Sequence, residues 1–112
     1  MGGAVVGIVI YAFVALVMVS IGVVNLRSKK PVGFYTGETL KEEDITDTAA
    51  WNRKHGIMWI LYGIVMFSCF LAGVHIGSGS AFGMILMIGG TIAPVFLMIW
   101  YHQALWMKYR RR

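Results

Sequence analysis

Three long stretches without a single Asp, Glu, Lys or Arg constrain this chain more than any other feature. They run from about residue 4 to 26, from 57 to 77 and from 82 to 107. A hydrocarbon core about 30 Å thick is crossed by roughly 20 apolar residues in a helix, and each stretch reaches that length. In lipid, backbone N–H and C=O groups must bond within their own segment, so each stretch reads as a helix. The Val- and Ile-rich first stretch is no exception, because lipid offers its backbone no water to bond instead. The expected fold class is all-α: an integral membrane protein with three transmembrane helices. Residues 1–112 are expected to form a single transmembrane domain with a loop over 27–56 and a basic tail over 108–112.

Composition supports this. Of 112 residues, 58% are hydrophobic and only 13% charged, about half the charge with which a soluble domain coats itself. The charges are also confined. All five acids and six of the ten bases lie between Arg27 and Lys54, and the remaining four bases are Lys108, Arg110, Arg111 and Arg112. A net charge of +5 would suit nucleic acid, but these bases sit at the ends of apolar stretches instead of lining one helix face with interleaved aromatics. Anionic lipid is the expected partner, with Arg27, Lys29, Lys30, Lys54, Lys108, Arg110, Arg111 and Arg112 at headgroup level. No nucleic acid is expected.

Basic residues near span ends face the cytoplasm. With three spans, the first loop and the C-terminus share a side, and both are the basic ones. The expected orientation is N-terminus outside and C-terminus cytoplasmic. Trp51, Trp59, Trp100, Tyr101 and Trp106 approach that same interface, as amphipathic rings do. Met1-Gly2-Gly3 offers no basic region ahead of the first apolar stretch, so no secretory leader is expected.

Within the spans, Pro94 removes a hydrogen bond to the Gly90 carbonyl and predicts a helix kink. Small residues four apart (Gly3 and Gly7, Ser68 and Ala72, Gly89 and Ala93) predict close helix approaches. Cys69 is the lone cysteine. It has no cation in its own span to stabilise a thiolate, and it reads as a packing residue.

Recognition chemistry concentrates in the loop. Gly33-Phe34-Tyr35-Thr36-Gly37 brackets two aromatics and a hydroxyl with glycines. It suits an interface-anchored turn or backbone N–H groups gathered around an anion. Thr39 to Glu42 has capping-box spacing for a short helix. Asp47 or Thr46 is placed to cap a helix leading into the second span, although Gly56 weakens its continuity. Trp51, Asn52 and Arg53 bring varied polar chemistry to the membrane mouth and are placed to dock the glycine-bracketed turn. Only Trp51 and His55 share a face, four residues apart.

Catalysis finds little support, and the chain reads as no enzyme. His55 and His102 fall at the basic side and His75 at the other, so no metal cluster is evident; a His55–His102 site completed by a loop carboxylate is the remote alternative. His102 reads more simply as an interfacial residue. No cofactor is expected. No span carries a carboxylate, which argues against proton-driven transport.

The segment Gly33 to Gly56 resembles the loop of SdpI-like membrane proteins. In these, a Gly-aromatic turn continuing to Arg-Thr-Pro is coupled to a downstream Trp, Asn and Gly, as in Trp51, Asn52 and Gly56. It is also similar to small uncharacterised three-pass proteins of Gram-positive bacteria. Tyr35 stands where the family has Arg and Gly37 where it has Pro, so no role of that Arg carries over. The resemblance implies a bacterial inner-membrane protein, some relatives giving immunity to membrane-active toxins. The leading functional expectation is a non-enzymatic protein that binds a peptide, protein or lipid. Its expected binding residues are Gly33, Phe34, Tyr35, Thr36, Gly37, Trp51, Asn52 and Arg53. A homo-oligomeric channel or passive carrier, and an accessory subunit of a larger membrane complex, are the alternatives.

Overall fold

A computed structural model of the chain describes residues 2–33, 41–77 and 79–110. Its elements are three helices, α1 (Gly2–Arg27), α2 (Thr48–Ile76) and α3 (Ala81–Tyr109), with a short 3₁₀ turn at Glu42–Asp44 before α2. All three helices are long and apolar enough to cross a membrane. The molecule measures 52 × 22 × 20 Å. At 29 residues each, α2 and α3 extend about 43 Å, so both overrun a ~30 Å core.

The helices coincide with the three apolar stretches and extend beyond them at most ends. The largest difference is at α2, which starts at Thr48 and continues unbroken through Gly56. Asp47, one of the two proposed caps, accepts a hydrogen bond from the Ala50 N–H at 3.1 Å. One glycine costs a helix about 1 kcal/mol. Here that cost is offset by what the missing side chain permits. A Cβ on Gly56 would lie 2.7 Å from the Gly22 carbonyl oxygen, and one on Gly22 would lie 2.5 Å from the Gly56 carbonyl oxygen. The two backbones meet at this point with no room for a side chain on either.

Within the chain, that approach uses other glycines than the paired small residues. Gly3 and Gly89 face open space, and of the predicted positions Gly7 alone among the glycines meets a neighbouring helix, at the Phe70 ring. Ser68, Ala72 and Ala93 are exposed. Spacing marks where a close approach is permitted. Helix rotation decides which permitted surface is used.

α2 is the central helix, packed against both α1 and α3. Its buried residues Trp51, His55, Met58, Tyr62, Met66, Phe70 and Gly73 recur every three or four positions, a single stripe down the helix. Met98, His102, Leu105 and Tyr109 form the matching stripe on α3. Outward, Val9, Phe13, Leu16, Ile64, Ile85 and Phe96 are each more than half exposed, as lipid-facing side chains of a spanning bundle are.

Midway along the bundle one residue, Thr91, joins all three helices through its hydroxyl and its backbone carbonyl. Thr91 on α3 donates to the Met87 carbonyl at 2.9 Å. Its single hydrogen is thereby used, so Tyr11 on α1 is the donor in the 3.0 Å bond between the two hydroxyls. Tyr62 on α2 donates to the Thr91 carbonyl at 3.0 Å. α3 runs as one helix through Pro94. The proline leaves Gly90 without its usual donor, and the tyrosine bond supports the same weakened turn.

Candidate functional site

Polar chemistry gathers at the end of the bundle where α1 finishes, α2 begins and α3 finishes. After Arg27 the chain turns sharply. The Ser28 hydroxyl donates to the Lys30 carbonyl at 2.9 Å and accepts from the Lys30 N–H at 3.3 Å. Asn52 then holds this strap from the side. Its amide donates to the carbonyls of Ser28 at 3.1 Å and Lys30 at 2.8 Å, and its oxygen accepts from the Val32 N–H at 3.0 Å. The neighbouring Trp51 indole donates to the Val32 carbonyl at 2.9 Å. Two consecutive residues of α2 thus satisfy both backbone groups of Val32. Buried backbone polar groups need such partners. Lys29 and Lys30 are left exposed on the outer side of the strap.

A second strap closes from the other side. Lys41 and Asp44 bond reciprocally, the Asp44 N–H to the Lys41 carbonyl at 2.9 Å and the Lys41 N–H to the Asp44 carboxylate at 3.1 Å. Ile45, 1% exposed, forms an antiparallel bridge with Arg110, and the Thr46 N–H donates to the Tyr109 carbonyl at 2.7 Å. The end of α3 is tied to the start of α2 by backbone bonds.

Trp51 is the centre of the knot. It is fully buried, with its ring 4.1 Å from His55, 5.7 Å from His102, 6.3 Å from Trp106 and 6.5 Å from Tyr109, centroid to centroid. The two histidines are bonded to each other, His55 Nε2 to His102 Nδ1 at 2.9 Å. His55 Nδ1 lies 2.9 Å from the Trp51 carbonyl. A carbonyl can only accept, so His55 carries its proton on Nδ1, and the neutral pair must have His102 Nδ1–H donating to His55 Nε2. The bond tolerates one added proton. With both rings cationic the facing nitrogens would each bear hydrogen, and the link between α2 and α3 would break.

His102 is therefore not the simple interfacial residue expected from its neighbours in sequence; at 7% exposure it is a buried partner of α2. The pair does supply two nitrogens at close range, yet among the described residues no third His, Cys, Asp or Glu joins a group able to hold a metal ion. Cys69 packs against Gly90, in keeping with its expected packing role.

Cations rim the knot. Arg27, Lys29, Lys30, Arg53 and Lys108 are exposed, Lys54 and Arg110 partly so. Lys54 and Lys108 approach one ring, their ammonium nitrogens 5.3 and 5.4 Å from the Tyr109 centroid. Lys54 and Tyr109 both lie beyond the uncharged stretches. Hydrogen bonding between them holds the lysine above its ordinary pKa and the phenol below its own.

Of the expected binding residues, Trp51 and Asn52 come together as a docking pair, and what they dock within the described residues is Ser28–Val32. Gly33 follows directly and is half-buried. Arg53 is exposed. Phe34, Tyr35, Thr36 and Gly37, the proposed capping box at Thr39 and Leu40, and the tail residues Arg111 and Arg112 lie outside the described residues. Sequence reasoning understated His55, His102 and Asn25. Asn25 is 6% exposed, and its amide nitrogen has no hydrogen-bond partner among the described residues. A polar residue near the end of an otherwise apolar span was the available signal. No family model, curated protein or solved structure matches the chain.

Proposed function

We propose that this is a small non-enzymatic membrane protein whose basic end is a recognition surface for an anionic peptide, protein or lipid. The observation that carries the reading is the double hold of Trp51 and Asn52 on Val32. A connection between helices needs no such fixation. A surface that must present Lys29 and Lys30 in one geometry does, because a prearranged site loses less conformational freedom on binding. The excess of Lys and Arg supports a cytoplasmic position for this end, and the SdpI-like loop pattern favours a bacterial inner membrane and an immunity role.

Affinity purification from native membranes in mild detergent, with lipids and proteins identified together, tests the reading. Asn52→Ala releases the strap without changing charge; Lys29→Gln with Lys30→Gln removes charge without releasing the strap. Both variants are expected to lose the co-purifying partner at wild-type insertion levels. Identical recovery from all three forms would overturn the proposal. In the same cells a cysteine replacing Arg112 is expected to resist impermeant maleimides; modification from outside would reverse the orientation.

A further inference from the structure

A cleft of about 320 Å³ runs between α2 and α3 on the outer side of the bundle. Leu61 and Val65 from α2 and Leu97 from α3 form its walls, the buried Met58 and Met98 lie along it, and Lys54 is the ionisable cation lining it. From Lys54 to Val65 the helix rises about 16 Å, close to half of a ~30 Å hydrocarbon core. The cleft thus begins at headgroup level and ends near the midplane, the depth of one leaflet.

Its mouth is electrically unlike those of its neighbours. Among the described residues the groups acting on Lys54 are Tyr109, Lys108 and Tyr101, while the nearby carboxylate of Asp47 acts on Tyr109. Two other concavities, one between α1 and α2 and one along α1, have volumes of about 390 and 500 Å³ and no ionisable side chain in their walls. Size alone would favour those two. Of these three concavities among the described residues, the α2–α3 cleft is the one that joins an apolar trough of acyl-chain depth to a cation at the height of a lipid phosphate.

We infer that this cleft is a binding site for one anionic glycerophospholipid, its acyl chain along Leu61, Val65 and Leu97 and its phosphate against Lys54 and the adjacent Lys108. The inference rests on the helices crossing a membrane with the basic end at headgroup level. It does not depend on what the Ser28–Val32 strap recognises.

Native mass spectrometry of the purified full chain with equimolar dioleoylphosphatidylglycerol and dioleoylphosphatidylcholine tests it. Wild type is expected to retain one phosphatidylglycerol in preference to phosphatidylcholine. Lys54→Gln should lower that preference about fivefold, the effect of one interfacial lysine. Leu97→Trp, placed on an exposed wall where it fills the trough without entering the core, should lower retention of both lipids. Free glycerol 3-phosphate should not compete. Equal retention of the two lipids by wild type, or retention unchanged in both Lys54→Gln and Leu97→Trp, would reduce the site to ordinary boundary lipid and overturn the inference. Competition by glycerol 3-phosphate would make it a phosphate site without an acyl component.

Discussion

The two connections of this molecule solve one problem by opposite means. Between α2 and α3 the chain reverses within a few residues and bonds to itself. Gly77 adopts φ 121°, a left-handed conformation that favours glycine, and Ser80 donates to the Gly77 carbonyl while capping Gly83 at 3.0 Å. Between α1 and α2 the described parts of the connection bond instead to helices far away in sequence: Val32 to Asn52 and Trp51, Thr46 to Tyr109. The first kind of connection needs only its own residues. The second exists only if three helix ends already stand together, so it reports on, and depends on, tertiary assembly.

Substitutions should separate the two kinds by size and by reach. Trp51→Ala carries the largest expected loss. A fully buried ring is removed together with the donor to Val32, and large-to-small changes of this type cost about 3–5 kcal/mol. Equilibrium unfolding in mixed detergent micelles should show it, with hydrogen exchange rising at all three helix ends. Exchange confined to Ser28–Val32 would mean that Trp51 is local and the contrast is lost.

Asn52→Ala is the intermediate case. It leaves the Val32 N–H and the Ser28 and Lys30 carbonyls to find other partners, at about 1–3 kcal/mol. Exchange at Val32 should rise while the His55–His102 end of α3 stays protected. If the α3 end opened as well, the strap would be part of the helix joint and not an ornament upon it.

Ser80→Ala should be the mildest, about 1 kcal/mol for a lost N-cap, with changes limited to the first turn of α3. An effect as large as that of Asn52→Ala would show that the short turn also supports distant structure.

Much of this architecture was legible in the chain. Each long apolar helix was announced by its lack of charge, the cap at Asp47 by its residue type, and the packing of Cys69 by its isolation. Other features were not legible, for a common reason. Gly22 and Gly56 carry no mark that separates them from Gly3 or Gly89, and His55 and His102 stand 47 positions apart. Their pairing depends on helix rotation, which a three- or four-residue period leaves open because every apolar face is acceptable to lipid. In water, a polar face would have oriented each helix; here α1 and α2 present apolar residues almost all round.

What the sequence by itself determined is the number of helices long and apolar enough to cross a membrane and the gathering of charge outside their apolar stretches, because moving an ion into hydrocarbon is too costly for any packing to repay. Tertiary structure alone decided which faces meet, which glycines touch and that two distant histidines share a proton. Those choices are made by van der Waals fit and hydrogen bonding between helices, quantities that exist only once the helices are side by side.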